Sequence, residues 1–349
     1  MFVEIEYPDK LLPAQLDDYL SKGWFRMRQT IFTTNFLHFR QQFYSAIWLR
    51  ISLDNYLFDK KHIALLKQNK NFRTEIKKTD LTQISPQHEL LFQQYRQSVS
   101  FDVSFTLKEL LIGNESYNIF NTYHVNVYYD NTLIAAGFMD IGNNSAAGIT
   151  CIYHPAYKKY SLGKYLMYLK IDYCKSLSLQ YFYPGYVVPG YTPFDYKASV
   201  GKATLQYLQV ATNLWFPYSD FTAKNNPMLI MVDQLQVLQQ QLNVNKISTL
   251  FLYYKFFDAN LDLYYFSERS LDFPVFLICF PEVASMFYKI IVYDICLAKY
   301  CYVQCSSVIN TGFQQDESNI FDADLLIIDR KIFSAESAEE MTDYFKTKT

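Results

Sequence analysis

Two stretches in the middle of the chain, residues 123–129 and 132–139, are rich in apolar residues and are separated by the polar pair Asp130-Asn131. Both stretches have strand patterns, and Asp130-Asn131 between them favours a tight hairpin turn. A third β-rich run at residues 149–153 ends just before Pro155, which cannot donate a hydrogen bond to a sheet. The pattern therefore predicts an antiparallel meander of three strands.

A helical pattern follows the meander. Its apolar positions are spaced by three and four residues, at Leu162, Tyr165, Leu166, Leu169 and Tyr173. Residues 180–183 are again rich in β-forming side chains, so a further strand follows the helix. A meander, one main crossover helix and a further strand predict a mixed sheet and the α+β fold class.

The loop between the third strand and this helix concentrates residues suited to an anion. Lys158 and Lys159 precede Ser161 and Gly163, where the helix begins. The start of a helix presents unpaired backbone N–H groups and the positive end of the helix dipole. We therefore predict an anion-binding site at residues 158–164.

The rest of the pattern divides at Asn-Asn-Pro, residues 225–227. Before this break it predicts helices at residues 13–23, 58–69, 86–98 and 104–112, and strands at residues 30–36 and 43–53. After the break it predicts helices at residues 228–242, 282–296 and 334–349, and strands at residues 248–256, 261–266, 275–280 and 322–329. We expect two domains: residues 1–220, with a basic part at 1–113 and a core at 114–220, and residues 221–349, an α+β domain without a catalytic motif.

The chain has 349 residues, half of them apolar, which is enough for two buried cores. Its start, MFVEIEYPDK, lacks the basic residues and the apolar run of a secretory signal. The most apolar region, residues 273–303, is interrupted by charged residues, whereas a membrane-spanning helix needs roughly 20 mostly apolar ones. We expect a soluble, cytoplasmic protein without a membrane partner, whose oligomeric state the sequence does not indicate.

Cysteine use and charge limit the chemistry. The six cysteines form no Cys-x-x-Cys pair and have no matching histidines, so we expect buried thiols and no metal. The net charge of −2 conceals opposite halves: residues 1–220 hold 22 basic against 18 acidic residues, and residues 221–349 hold 10 against 16. Basic residues concentrate from Arg50 to Lys78 and include Lys60 and Lys61. This patch is either a solvated helix face or a surface that neutralises phosphates.

Short blocks within residues 17–220 resemble one protein family. They are Gly23-Trp24-Phe25-Arg26, Leu49-Arg50-Ile51, Asp140 followed by Pro155, Ser161-Leu162-Gly163, Tyr183-Pro184-Gly185-Tyr186 and Tyr196-Lys197. The chain is similar here to the arginyl-tRNA-protein transferases and their bacterial leucyl-transferring relatives. The resemblance implies a GNAT-like acyltransferase domain followed by an additional C-terminal α+β domain.

The chain also departs from the family pattern. No cysteine lies between Arg28 and Arg50, where the family has a cysteine motif. Residues 146–150, Ala-Ala-Gly-Ile-Thr, replace the family's Leu-Ser-Ser-Val-Tyr, and Pro193-Phe194 replaces its Lys-Met before Tyr196-Lys197. These changes leave open an altered substrate or a reduced activity.

The resemblance implies transfer of an aminoacyl group, of arginyl or leucyl type, from charged tRNA to the α-amine at the N-terminus of an acceptor protein, as part of an N-degron. It implies no cofactor besides the aminoacyl-tRNA co-substrate. The residues that it implies in catalysis are Asp140, Tyr186 and Lys197. Those that it implies in substrate and tRNA binding are Trp24, Arg26, Arg50, Lys60, Lys61, Lys158, Lys159, Ser161, Leu162, Gly163, Lys164, Tyr183, Gly185 and Tyr196.

Several alternatives stay open. Asp140 is either a base for the amine or a turn residue that caps residues 142–144, and Trp24 and Tyr183 also suit packing roles. The loop at residues 158–163 keeps only the second glycine of the motif with which GNAT acetyltransferases bind the pyrophosphate of coenzyme A. A CoA-dependent N-acyltransferase is therefore the alternative enzyme, and a scaffold that binds a peptide terminus or RNA is the alternative without catalysis.

Overall fold

The computed structural model describes residues 2–101, 103–258, 261, 269–280, 287–310 and 319–347. The chain begins with β1 (Val3–Glu6), helix α1 (Pro13–Ser21), β2 (Phe25–Met27) and β3 (Thr30–Thr34). These strands form an antiparallel sheet in the order β1-β3-β2. A separate hairpin follows, made of β4 (Phe36–Phe39) and β5 (Gln42–Ser45).

A large mixed sheet takes its strands from residues 47–217. They are β6 (Ile47–Ser52), β7 (Arg73–Lys78), β8 (Thr122–Tyr129), β9 (Thr132–Ile141), β10 (Ser145–Tyr153), β11 (Tyr181–Val187), β12 (Leu205–Gln209) and β13 (Leu214–Pro217). The eight strands lie in the order β13-β12-β6-β11-β10-β9-β8-β7, and only β10 and β11 pair in parallel. The helices of this part are α2 (Lys60–Gln68), α3 (Pro86–Ser98), α4 (Leu107–Ile112), α5 (Leu162–Ser176) and α6 (Asp195–Ala198).

The predicted α+β class and the predicted central order are confirmed. Strands β8, β9 and β10 are the meander, and Asp130 adopts a left-handed conformation (φ 52°) in the turn between the first two. Helix α5 then leads to β11, as expected for a GNAT-like domain. Leu162, Tyr165 and Leu166 are buried on the predicted apolar face of α5.

Strand β7 is absent from the sequence prediction. Its sequence is Arg-Thr-Glu-Ile-Lys-Lys, and it lies at the edge of the sheet with most of its side chains exposed. An edge strand of this kind shows no apolar face from which periodicity could predict it, and its charges protect the edge from pairing with other chains.

A second sheet takes its strands from residues 249–335. Its elements are β14 (Thr249–Tyr254), β15 (Val275–Cys279), β16 (Tyr288–Asp294), β17 (Lys299–Asn310), β18 (Ile320–Phe321) and β19 (Asp324–Ala335). The six strands lie in the order β18-β14-β15-β16-β17-β19. Helices α7 (Pro227–Val244) and α8 (Ala338–Lys346) correspond to the helices predicted before and after these strands.

The helix predicted at residues 282–296 is wrong over its described part, where residues 288–294 form β16. Ile290, Ile291 and Val292 are buried there between β15 and β17. A continuous apolar run suits a central strand as well as a buried helix, so periodicity could not separate the two. Residues 281–286 lie outside the described part of the chain, as does the strand predicted at residues 261–266 apart from Leu261.

The N-terminal elements contribute to the core of the second sheet. Phe2, Val3 and Phe36 are buried in the hydrophobic cluster that also contains the inner residues of β14 to β17 and α7. The Ser45 hydroxyl donates to Asn226 Oδ1 at 2.6 Å, directly before α7. The division into two domains at residue 220 stays a prediction, and residues 2–45 contribute to packing beyond that boundary.

Within the described residues, all six cysteines are free and no cluster of three or more potential metal ligands occurs. Cys296 differs from the expected buried thiol, because it is exposed in the turn between β16 and β17. Among the described helices, none combines the length and the apolar character needed to cross a membrane.

Candidate active site

The first large sheet opens between its two parallel strands. Strands β10 and β11 pair only over Ser145, Ala146 and Ala147, opposite residues 181–183. Both strands continue beyond that point, and β11 shifts its register against β6 between residues 182 and 185. A cavity of about 1870 Å³ lies at the opening, lined by residues 148–151 and 153 of β10 and by residues 182 and 184–186 of β11.

The start of α5 forms part of the cavity wall through Lys158, Ser161, Gly163 and Lys164. Ser161 has a left-handed backbone conformation (φ 51°) immediately before the first helical turn. Tyr165 donates the first helical hydrogen bond to the Ser161 carbonyl at 3.0 Å, so the helix itself offers the amides of residues 162–164 no carbonyl. The predicted anion site therefore faces a hollow, and the binding of an anion there stays a prediction.

Lys197 lies in another part of the cavity wall. Its Nζ donates to the Tyr186 carbonyl at 3.0 Å and lies 5.2 Å and 4.8 Å from the ring centroids of Tyr186 and Phe194. Gly185 has a positive φ of 89°, and a Cβ there would lie only 3.2 Å from this Nζ. Burial lowers the pKa of Lys197 to about 8. The amine therefore changes its charge close to neutral pH, in contact with the cavity.

Arg26 and Asp140 form a buried ion pair behind the cavity. Arg26 Nη1 lies 3.0 Å and 3.2 Å from the two Asp140 carboxylate oxygens, and Nη2 donates to the Leu111 carbonyl. The Thr122 hydroxyl also donates to Asp140. Asp140 is fully buried and does not line the cavity, so it does not meet an acceptor amine directly. The interpretation of Asp140 as a direct base is therefore corrected.

The alternative interpretation of Asp140 as a turn cap is also corrected. Asp140 belongs to β9, and Asp17 of α1 accepts the amides of Asn143 and Asn144 at 2.9 Å each. Arg26, which was expected to contact tRNA, is likewise committed to protein groups, although part of it lines the cavity. Sequence spacing could not reveal a pair separated by 114 positions.

Several of the other predicted site residues lie outside the cavity lining. Leu162 and Tyr183 are buried, the latter against Trp215, and Trp24 contacts Tyr19 at a ring distance of 5.6 Å. Arg50 donates to Gln206 and stacks on Tyr181 and Trp215 outside the cavity lining, and its contact with substrate or tRNA stays a prediction. The packing interpretation is thus favoured for Trp24 and Tyr183.

Lys60, Lys61 and Lys159 are exposed outside the cavity. The end of α2 is bound to the loop before α5, because Gln68 donates to the Lys159 carbonyl and Asn69 to the Tyr160 carbonyl, each at 3.1 Å. The basic surface of α2 therefore continues to the edge of the cavity at the start of α5.

Some cavity residues were missed by sequence reasoning. Arg28 and Arg40 line the cavity from turns, where both have positive φ, and such isolated turn residues show no periodic signal. Lys170 of α5 also lines it. Lys170 follows Leu166 by four positions and so falls on the apolar face of α5. A lysine on an apolar helix face is the sequence signal from which this residue could have been predicted.

The cavity lining is strongly cationic. Its basic residues are Arg26, Arg28, Arg40, Lys158, Lys164, Lys170 and Lys197. Asp9 and Glu115 are the acidic residues of the lining, and Asp140 compensates Arg26 from behind. Apolar walls are supplied by residues such as Trp48, Met167 and Phe182. The arrangement suits a polyanion together with an uncharged side chain.

Residues 62–207 match the family model described as arginine-tRNA-protein transferase, C terminus. An aspartate/glutamate leucyltransferase of Leptospira interrogans serovar copenhageni is 24% identical over 221 residues, which cover 62% of this chain and 83% of that protein. A protein of the same name from Campylobacter jejuni is 26% identical over 157 residues, or 43% and 64% of the two chains. Arginyl-tRNA–protein transferase 1 of Saccharomyces cerevisiae is 26% identical over 117 residues, or 34% and 23%.

Solved structures resemble parts of the chain at low scores. FemX gives a TM-score of 0.35 at 6% identity and covers 50% of this chain and 60% of its own. An acetyltransferase of the GNAT family from Novosphingobium aromaticivorans gives 0.27 at 13% identity, with coverages of 45% and 58%. Likenesses at this level carry no argument about the site.

Proposed function

We propose that this chain is an aminoacyl-tRNA-protein transferase, because its residues 62–207 match the family model described as arginine-tRNA-protein transferase, C terminus. It moves a leucyl-type group from charged tRNA to the N-terminal α-amine of an acceptor protein that begins with Asp or Glu. The names of the leucyltransferase relatives support this specificity. The main supporting observation is the cationic cavity between β10 and β11, which both the start of α5 and Lys197 line.

The reaction forms an amide bond between the acceptor nitrogen and the aminoacyl carbonyl carbon, and it breaks the ester bond to the ribose of the tRNA. An N-terminal amine has a pKa near 7.7 to 8.0, so a large fraction of it is already neutral at cellular pH. The site must therefore bring amine and ester together and stabilise the oxyanion that develops, with no need for a strong base. The separation of β10 from β11 leaves a space for both substrates where residues 148–151 and 184–186 form the walls.

Lys197 is suited to bind the acidic side chain of the acceptor. As an ammonium it attracts a carboxylate at the cavity wall, and the low local polarity strengthens that attraction. Its pKa of about 8 keeps it mostly protonated at pH 7. Tyr186, whose carbonyl holds the Lys197 ammonium, is assigned an orienting role.

The tRNA occupies the basic surface that leads into the cavity. Lys60, Lys61 and Lys67 are exposed on α2, and the loop that carries Lys158 and Lys159 is bound to the end of that helix. Cationic side chains on this path neutralise phosphates of the acceptor end, while the start of α5 receives the phosphodiester that precedes the 3′-terminal nucleotide.

The charge of the lining favours leucyl over arginyl transfer. An arginyl side chain brings a guanidinium that cannot lose its proton, and a lining with Arg28, Arg40 and Lys164 repels it. A leucyl side chain meets no such penalty and can contact Met167 and Phe182.

The experiment is transfer of radiolabelled leucine and arginine from charged tRNA to peptides that begin with Asp, Glu, Asn or Gln. We expect leucine to be transferred to the Asp and Glu peptides at least tenfold faster than to the Asn and Gln peptides, since loss of one charge-assisted hydrogen bond costs about 1.5–3 kcal/mol. We expect little transfer of arginine, because the cationic lining repels its guanidinium. Arginine transfer at equal rate would contradict the leucyl assignment. Thermal stabilisation by acetyl-CoA, with none by charged tRNA, would contradict the whole proposal.

A further inference from the structure

A buried lysine forms part of the cavity wall. Lys170 is 1% exposed, and its Nζ donates to the Phe138 carbonyl at 2.8 Å and to the Thr150 carbonyl at 2.9 Å. The third contact of this Nζ is Cys151 Sγ at 3.4 Å. An ammonium has three N–H donors, so all of them are used within the wall.

This ammonium has no carboxylate partner among the ion pairs of the described residues. A buried charge without an opposite charge opposes folding by several kcal/mol. Space for the ammonium depends on Gly137, because a Cβ there would lie 2.8 Å from Lys170 Cε and 3.2 Å from Nζ. Lys170 in α5 and Gly137 in β9 are thus matched to each other, although the buried ammonium opposes folding. This match indicates that the ammonium has a use beyond packing.

Lys170 bridges an irregularity in the sheet. The register of β10 against β9 shifts between Gly148 and Thr150, and Thr150 then pairs with Phe138. The ammonium bonds the carbonyls of this last pair, directly behind residues 148–151, which line the cavity. β-Bulges next to active sites change the direction of backbone groups toward a ligand.

We propose that Lys170 is a positioning residue for acyl transfer: it fixes the bulged segment 148–151 and sets a positive charge within the wall against which the ester carbonyl becomes an oxyanion. This inference rests on the proposed function. Because all three N–H donors of the Lys170 ammonium are used within the wall, Lys170 does not bond the substrate. It acts on the reaction through the backbone that it holds and through the electric field of its charge. A field aimed at charge that exists only in the transition state raises kcat and leaves substrate binding unchanged.

The test compares Lys170→Met with Lys175→Met in leucyl transfer by the full chain. Lys175 is a matched control on the same helix, since its Nζ also donates to a backbone carbonyl, that of Tyr56, but it does not line the cavity. We expect Lys170→Met to lower kcat by about tenfold or more with both KM values within about twofold of wild type, and Lys175→Met to leave kcat and KM within about twofold. A general loss of packing would instead lower the melting temperature of both variants without this split between kcat and KM.

Gly137→Ala perturbs the same ammonium from the opposite strand. We expect it to lower kcat, and we expect the double variant Gly137→Ala/Lys170→Ala to be no slower than Lys170→Ala alone, because Lys170→Ala removes both the Cε and the Nζ that the new Cβ would meet. Multiplicative losses in the double variant, or wild-type kcat in a folded Lys170→Met, would overturn the inference while leaving the proposed function intact. Absence of transfer by the wild-type chain from any charged tRNA would instead refute the proposed function. If Lys170→Met does not fold, Gly137→Ala alone decides through its kcat and KM.

Discussion

The two large sheets differ in where they bury charge. Around the opening of the eight-stranded sheet, Arg26, Asp140 and Lys170 are each more than nine-tenths buried. In the six-stranded sheet, β15 is entirely apolar and buried, and the buried charges are carboxylates: Asp272 just before β15 and Asp324 at the start of β19. Burial of charge opposes folding, so a sequence retains it where something other than stability requires it. Among the described residues, the buried cations Arg26 and Lys170 both lie at the opening of the first sheet, so the comparison indicates that a use for buried positive charge constrains that opening.

The two regions meet at the hairpin of β4 and β5. On one side Phe43 stacks on Tyr253 of the second sheet at a ring distance of 5.1 Å. On the other side Phe39 contacts Tyr191 at 4.8 Å, and both of these residues line the cavity. The second region therefore supports one wall of the cavity without lining much of it.

The largest expected effect is on the stability of the first region. Asp140→Ala leaves the Arg26 guanidinium buried without its carboxylate, so we expect a loss of roughly 3–5 kcal/mol in the free energy of unfolding. Asp18→Ala is the matched control, since it breaks an exposed ion pair with Lys22 and should cost at most about 1 kcal/mol. Urea unfolding of both variants checks this, and equal losses would show that the buried pair is not special.

A core substitution in the second sheet should separate stability from activity. Leu277 is fully buried in β15, and Leu277→Ala should cost about 2–5 kcal/mol of unfolding free energy. We expect kcat and KM of the folded fraction at a temperature well below the transition to equal those of wild type. A changed kcat would mean that the second sheet reaches the reacting groups.

The parts of the first sheet that the sequence could reveal are those with local signals. Strand patterns on both sides of the Asp130-Asn131 turn signal predicted the meander, and the three-and-four spacing predicted α5, because these signals are local. The loop at residues 158–164, predicted between these two elements, does lie at the cavity. The Arg26–Asp140 ion pair could not be predicted, because pairing between distant positions leaves no periodic pattern in the sequence.

Other misses have different physical causes. The continuous apolar run that forms β16 has no period, so it was assigned to a helix. Lys170 interrupts an apolar helix face, and only the glycine on the neighbouring strand shows why a lysine fits there. Distant partners of this kind become visible only when the sheet register is known.

The third prediction concerns Lys197 and pH. Burial lowers the pKa of Lys197 from 10.5 to about 8, so the folded chain binds fewer protons than the unfolded chain between these values, and this group adds stability as pH rises through that window. The same loss of charge should weaken the binding of acidic acceptors. We expect the ratio of the wild-type KM for an Asp peptide to that of Lys197→Met to be about 0.1 below pH 7.5 and to approach one above pH 9.

The acceptor amine titrates in the same way with wild type and with Lys197→Met, so its effect cancels in the ratio of the two KM values. Lys202→Met, which removes an exposed lysine a few residues further on, is the control and should show no pH-dependent change in KM relative to wild type. A ratio of KM values that stays constant across this pH range would exclude Lys197 as the partner of the acidic side chain.

A smaller effect should result from loosening the contact between the two regions. Phe43→Ala removes the stack on Tyr253, so the hairpin wall becomes less rigid, and we expect KM for the acceptor peptide to rise roughly threefold to fivefold with kcat unchanged. Phe251→Ala is the matched control because Phe251 also contacts Tyr253, at 5.4 Å, from within the second sheet. Equal KM values for the two variants would show that the hairpin does not transmit this support.

The smallest effect separates the charge of the two regions. Lys67 and Lys70 are exposed beside the loop before α5, whereas Lys224 and Lys289 are exposed beyond residue 220. Replacing the first pair by Gln should reduce the slope of log affinity for tRNA against log salt by about 0.7–0.9 for each lost phosphate contact. Replacing the second pair, an identical change in net charge, should leave the slope unchanged. Equal slopes in the two double variants would mean that tRNA responds to net charge alone, and the basic path from α2 to the cavity would lose its role.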